Sequence, residues 1–313
     1  MQPAPLHNAM ARGPEGGAAY WLTAADGVRI RLGVWPKEGA KGTVFLLPGR
    51  TEYIEKYGPA AADFAARGYA MLAVDWRGQG LADRLCDDPF KGHVGQFSDY
   101  QLDFEAVLAA AGALGLPRPW FVLGHSMGGA IGLRALMGAH PFAGCAFSAP
   151  MWAIALPPPL YAFGPALSRQ FSGAGFAMGY APGTSAETYV FGAPFRGNKL
   201  TTDPEMWAFM LGHLAEVPGL TLSGPSLHWV AEAILECTAL DALPSPDLPC
   251  YCGLGRLERI VHVPAVEARM ARWPKGRLDH IAGAEHELMM ETAATRRRFY
   301  DGCAATFDAA LPG

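Results

Sequence analysis

Trp120-Phe121-Val122-Leu123-Gly124-His125-Ser126-Met127-Gly128-Gly129 is the stretch that decides the fold. Trp120 to Leu123 is a short apolar run, and Met127 to Met137 carries a helical pattern. Between them Gly124-His125-Ser126-Met127-Gly128 is a G-x-S-x-G turn in strand–turn–helix context. A serine there sits on a turn so sharp that its backbone is strained. Glycines two before and two after it let the neighbouring chain approach. A helix beginning at Met127 aims free N–H groups at the negative charge that develops when a hydroxyl attacks a carbonyl. Ser126 is the candidate nucleophile.

Working outward, compact apolar strands alternate with helical patterns. Strands are expected at Val28–Trp35 (after an Asp26-Gly27 hairpin signal), 43–47, 69–74 and 145–148, and helices at 54–67, 98–113 and 127–137. Ser98-Asp99-Tyr100-Gln101 matches a capping box. The alternation breaks after Pro150 and resumes with a strand at 250–254, a helix at 264–273, a strand at 277–281 and a helix at 292–310. Continuous apolar strands separated by helices imply a parallel sheet covered on both faces. The expected architecture is α/β: a mostly parallel, doubly wound sheet over residues 20–149 and 236–313, interrupted by a largely helical cap over 150–235. Residues 1–19, rich in Pro, Gly and Ala, are expected to form a flexible segment that does not read as a signal peptide.

Composition excludes several other classes. Half of the 313 residues are apolar and 17% are charged, enough to bury a large core. A net charge of −4 with no basic stripe gives no reason to expect nucleic-acid binding. The span from Pro141 to Ser168 lacks charged residues, but its six prolines argue against a membrane helix. The six cysteines are scattered without a CxxC pair; Cys250 and Cys252 would point to one face of a strand, and buried thiols in a reducing cytoplasm are expected. No ligand cluster suggests a metal, and no cofactor is expected.

A serine hydroxyl needs a base held by an acid, in the chain order serine, acid, histidine. His286, in Gly283-Ala284-Glu285-His286-Glu287, lies in a loop after the last strand. His280 lies within a strand, His262 follows the preceding strand too closely, and His125 should point away at the elbow. Glu258 is the only carboxylate in the loop after the strand 250–254; its structural alternative is a surface pair with Arg256 or Arg259. The second oxyanion donor should come from Leu47-Pro48-Gly49-Arg50-Thr51-Glu52, so the N–H groups of Arg50 and Met127 are the candidate oxyanion hole.

Taken together, Leu46-Leu47-Pro48-Gly49-Arg50-Thr51-Glu52-Tyr53-Ile54-Glu55-Lys56-Tyr57, Asp75-Trp76-Arg77-Gly78-Gln79-Gly80, the serine elbow, Ser148-Ala149-Pro150-Met151 and Gly283-Ala284-Glu285-His286-Glu287-Leu288 resemble the lysophospholipase L2 and monoacylglycerol lipase group of α/β-hydrolases. The resemblance spans about residues 20 to 310. It implies the α/β-hydrolase fold and hydrolysis of the single acyl ester of a lysolipid or monoglyceride. Many relatives carry His-Gly where this chain has Pro48-Gly49, and Asp where it has Glu258. Arg77 is expected to pair internally.

The cap's aromatic and Met residues include Trp152, Phe163, Phe171, Phe176, Met178 and Trp207, expected to line an acyl pocket or else to pack the cap onto the core. The Arg50 side chain is expected either to meet a substrate phosphate or to pair with Glu52 or Glu55. Transient contact of the cap with a membrane surface is expected, with a place in the cytoplasm or at the inner membrane face. The oligomeric state is not legible. A general carboxylesterase, an acyltransferase or a proline-type aminopeptidase could use the same machinery, and a non-catalytic protein could keep the fold. A haloalkane dehalogenase would place Asp at the elbow.

Overall fold

The computed structural model describes residues 1–156 and 175–312. Nine strands form one sheet: β1 (Gln2–Ala4), β2 (Ala18–Thr23), β3 (Arg29–Trp35), β4 (Thr43–Leu47), β5 (Ala70–Asp75), β6 (Trp120–His125), β7 (Phe142–Ser148), β8 (Cys250–Gly255) and β9 (Gly276–Ile281). Their order is β1-β2-β3-β5-β4-β6-β7-β8-β9. The pairings among β1, β2, β3 and β5 at one edge are antiparallel, and every pairing from β5 through β4 to β9 is parallel.

Period-two alternation places the two faces of the sheet. Along β4, Val44 and Leu46 join one apolar cluster while Phe45 and Leu47 join the other. Helices Gly58–Ala66 and Ala293–Asp308 cover the first face through Phe64, Phe299 and Phe307. Helices Asp99–Ala113, Met127–Ala135 and Val263–Ala271 cover the other through Phe104, Ile131 and Met270. Cys250 and Cys252 lie on one face of β8, Tyr251 on the opposite one.

The chain runs from β4 to β5 on one side, whereas β6 lies on the other, so β4 is the topological switch point, where α/β sheets place their ligands at the carboxyl ends. The register brings those ends level. Leu47 lies opposite Gly124, His125 opposite Ser148, Ser148 opposite Gly253, and Ile281 opposite Gly255. The loops after β4, β6, β7, β8 and β9 therefore converge.

Several local expectations change. The stretch 54–67 is a 3-10 turn, Ile54–Tyr57, continuing into a helix from Gly58. Ser98 precedes its helix without a capping hydrogen bond; Asp99 instead accepts from the Gln96 N–H at 2.9 Å. Residues 1–19, expected as a flexible segment, hold edge strand β1 and a short helix, Asn8–Ala11, that buries Met10 and Ala11. Arg77, as expected, pairs internally, with Asp26 and Asp103.

Between β7 and β8 the chain leaves the sheet. Its described helices include Pro204–Glu216, capped by Asp203, and Leu227–Asp241, capped by Ser226. Both contribute buried side chains to the sheet's clusters: Met206, Trp207 and Phe209 to one, Trp229, Ala233 and Cys237 to the other. No helix among the described residues is long and apolar enough to cross a membrane.

Candidate active site

Ser126 joins β6 to the helix Met127–Ala135 with φ 47° and ψ −118°, a conformation that L residues avoid. It is half-buried in a run of buried neighbours. Its carbonyl accepts from the N–H groups of Gly129 and Met151, both at 2.8 Å, and its N–H donates to Ser148 O at 3.1 Å. The elbow glycines are required by space. A Cβ on Gly128 would lie 2.0 Å from Leu47 O, and one on Gly124 would lie 2.7 Å from Gly128 O. Thr51 and Ala149 also have positive φ, 66° and 41°. Strained non-glycine backbone therefore gathers at the ends of β4, β6 and β7, as it does at functional sites.

Glu258 and His286 meet. His286 Nδ1 is 2.7 Å from Glu258 Oε2, and the Glu258 carboxylate is fully buried. Its Oε1 accepts from the N–H groups of Ile260 at 2.6 Å and Val261 at 3.0 Å. Burial alone would raise the Glu258 pKa, but His286 and these N–H donors hold it below the ordinary value. An ionised Glu258 can only accept, so Nδ1 carries the imidazole proton and Nε2 keeps its lone pair. Burial likewise opposes charge on His286, but Glu258, Glu287 and Glu52 outweigh it and raise its pKa. Neither Arg256 nor Arg259 claims Glu258; Arg259 pairs with Glu285 at 2.5 Å.

Gly49 lies against the serine: a Cβ there would be 3.0 Å from Ser126 Cβ and 3.2 Å from His125 Cδ2. The loop after β4 is fixed from behind, with Gln79 Nε2 donating to Gly49 O at 2.7 Å and Trp76 Nε1 to Pro48 O at 3.0 Å. Met127 opens its helix, where the first amides lack intrahelical acceptors.

The Arg50 side chain is not paired with Glu52 or Glu55. Glu52 is held by Lys56 at 2.6 Å, and Glu55 by Arg31 at 2.8 Å. The Arg50 guanidinium donates to Ser223 O at 2.6 Å and lies 5.7 Å from the centre of the Trp229 ring. Burial lowers its pKa to about 10.

The expected acyl-site residues are placed unevenly. Trp152 is 4% exposed; it packs between Phe147 and Trp273 and donates to Gly129 O at 3.2 Å, so its side chain belongs to the core. Trp207 is buried against Tyr189 and Phe195. Met178 is half-buried. Phe163 and Phe171 lie outside the described residues, as does the side chain of Phe176. His280 pairs with Glu267 at 3.2 Å on the rim of β9.

His125 was expected to point away, but its ring lies 4.9 Å from that of His286. Its Nδ1 meets Ser148 O at 3.0 Å, and its Nε2 is 3.6 Å from Glu52. Among the described residues, Glu52, His125 and Glu287 offer ligand-type atoms within 4.8 Å of one another. The Lys56 ammonium already bridges the two carboxylates, 2.6 Å from each. A metal ion there would face that ammonium, so the group does not fit one.

A doubly wound sheet with a strained serine elbow and a carboxylate-bound histidine at its carboxyl edge defines an α/β-hydrolase. The profile of one family, serine aminopeptidase S33, matches residues 38–293, and the chain belongs to that family. It is 33% identical over 285 residues to lysophospholipase L2 of Escherichia coli strain K12, covering 88% of this chain and 83% of that one. A monoacylglycerol lipase of Mycolicibacterium smegmatis is 35% identical over 111 residues, 35% of this chain and 38% of its own. The solved monoglyceride lipase of Saccharomyces cerevisiae, in complex with a substrate analogue, superposes with a TM-score of 0.71 at 21% identity, covering 93% of this chain and 95% of that one. With these relatives, the chain is a carboxylic ester hydrolase.

Proposed function

We propose that the chain hydrolyses the single acyl ester of a lysophospholipid or monoacylglycerol through a Ser126–His286–Glu258 triad and an acyl-enzyme on Ser126. The observation that carries this reading is the buried 2.7 Å contact between Glu258 and His286, at the same carboxyl edge of the sheet as a serine held on a strained elbow. Ser126 Oγ attacks the ester carbonyl as His286 Nε2 takes its proton. Charge on the carbonyl oxygen is met by the N–H groups of Arg50 and Met127. The imidazolium, steadied by Glu258, returns the proton to the leaving glycerol oxygen. Water then attacks the acyl carbon as it gives a proton to His286, and Ser126 Oγ leaves, taking that proton back as the fatty acid is released. The insertion after β7 would cover the serine and take the acyl chain, with transient membrane-surface contact through it.

Within this reading, Arg50 favours the phosphate-bearing substrate. Its backbone serves the oxyanion, while its side chain touches a carbonyl and a ring but no carboxylate among the described residues. A half-buried cation without an anion is unfavourable, and a substrate phosphate would supply the anion through parallel hydrogen bonds. An aminopeptidase would need a free carboxylate for the substrate ammonium. The buried acids near Ser126, Glu52, Glu258 and Glu287, are each held by a protein partner.

The test is a panel of lysophosphatidylcholine, monoolein, a short p-nitrophenyl ester and a proline amide. Arg50→Ala is expected to lower kcat/KM on lysophosphatidylcholine by about 1.5–3 kcal/mol, the range for a charged hydrogen bond, and to change monoolein hydrolysis much less. Equal losses on both would show that Arg50 only holds its loop. Preference for the p-nitrophenyl ester or the proline amide would replace the lipid reading.

A further inference from the structure

The buried charges beneath the oxyanion loop are more than the triad needs. Glu52 Oε2 accepts from the Gly49 N–H and from Tyr57 OH, and its Oε1 pairs with Lys56 Nζ at 2.6 Å. The same ammonium is 2.6 Å from Glu287, the residue after His286. Glu52, Lys56 and Glu287 are 3%, 4% and 6% exposed. The Glu287 N–H is in turn fastened to Leu200 O at 2.8 Å. One ammonium thus ties the loop carrying Arg50 to the loop carrying His286, across 231 positions of sequence.

We infer that Lys56 is a positioning residue that sets the oxyanion loop and the His286 loop against each other, acting through Glu52 and Glu287. Gly49 is in contact range of Ser126, so a small shift of its loop moves the Arg50 N–H relative to the reacting carbonyl. Without the ammonium, two buried carboxylates within 4.8 Å repel, and either they separate or one takes up a proton. Both outcomes disturb the two loops together. The inference rests on the Ser126–His286 reading.

The cluster also faces the imidazole. The charged and titratable groups around His286 are Glu258 from the loop after β8, Glu52 and Lys56 from the loop and turn after β4, His125 from the end of β6, and Glu285 and Glu287 from its own loop. Glu285 is paired with Arg259, and the Lys199 carbonyl accepts the His286 N–H at 3.3 Å. Burial and Glu52 favour the neutral acid of Glu287, and Lys56 opposes them. Charged Glu287 stabilises the imidazolium, so its loss should let His286 release its proton at lower pH.

The experiment compares Lys56→Met, Lys56→Arg and Glu287→Gln in the full chain by steady-state kinetics on its best ester substrate, with the pH profile of kcat/KM and the melting temperature. Lys56→Met is expected to lower kcat about 10²-fold with KM little changed, and Lys56→Arg to recover most of it. Glu287→Gln, nearly isosteric, is expected to move the acid limb of kcat/KM down by about half a pH unit or more. Should Lys56→Met fail to fold, Glu287→Gln decides. Wild-type kcat in Lys56→Met, or an acid limb that stays or rises in Glu287→Gln, overturns the inference. Phosphonate labelling of Ser126 in the wild-type chain separates that failure from failure of the triad itself.

Discussion

Ser126→Ala and His286→Ala are each expected to lower kcat by about 10⁴-fold or more, and the double variant to be little worse than either single. The two side chains would act as one unit. The hydroxyl is a poor nucleophile until the imidazole removes its proton, and the imidazole has nothing to deprotonate once the hydroxyl is gone. What remains would come from the proposed backbone donors of Arg50 and Met127 and from substrate binding. Steady-state kinetics on the single and double variants check this. Multiplicative losses would mean that the two residues act independently and that the base lies elsewhere. Folding should survive Ser126→Ala, because the elbow is held by backbone hydrogen bonds and glycine contacts rather than by the hydroxyl.

The second large effect belongs to Glu258→Gln, expected to cost at least about 10²-fold in kcat. The amide preserves the shape, but it can present its NH₂ to His286 Nδ1 and so favour the wrong tautomer. It also removes the charge that steadies the imidazolium. The N–H groups of Ile260 and Val261 aim at the other carboxylate oxygen, so the amide oxygen would tend to turn toward them and leave NH₂ facing the histidine. Near-normal activity would move the acid elsewhere. Glu287 is then the residue to examine, although its carboxylate is paired with Lys56.

Much of this arrangement was legible because it obeys local rules. The parallel strands announce themselves as apolar runs, and the elbow as glycines at fixed offsets from a serine between a strand and a helix. Glu258 and His286 could be chosen because chain order restricts each to one loop, and the structure brings the two together. Three features were hidden for physical reasons. Strand β1 is three residues long and contains Pro3, which edge strands tolerate but which reads as irregular chain. Ser98 already has helical backbone, φ −61° and ψ −22°, so its hydroxyl does not reach the helix's free N–H groups. The Lys56 bridge depends on a contact between distant loops that no local pattern encodes. His125 was readable in principle. Phe121 and Leu123 share one face of β6, and two residues further along the period that face meets the loop of His286.

The Arg50 side chain was a different case, since both of its alternatives were consistent with the sequence. Two carboxylates stand close to it along the chain, and each found another cation: Glu52 with Lys56, and Glu55 with Arg31. Pair selection of this kind is settled by three-dimensional competition among buried charges, not by spacing.

The most direct measurement of the central claim is covalent labelling. The chain is treated with a fluorophosphonate, its intact mass is followed, and the modified peptide is sequenced. One adduct per chain on Ser126, absent from Ser126→Ala and formed far more slowly in His286→Ala, is the predicted result. An adduct on another serine, or ester hydrolysis that persists undiminished in Ser126→Ala, would contradict it.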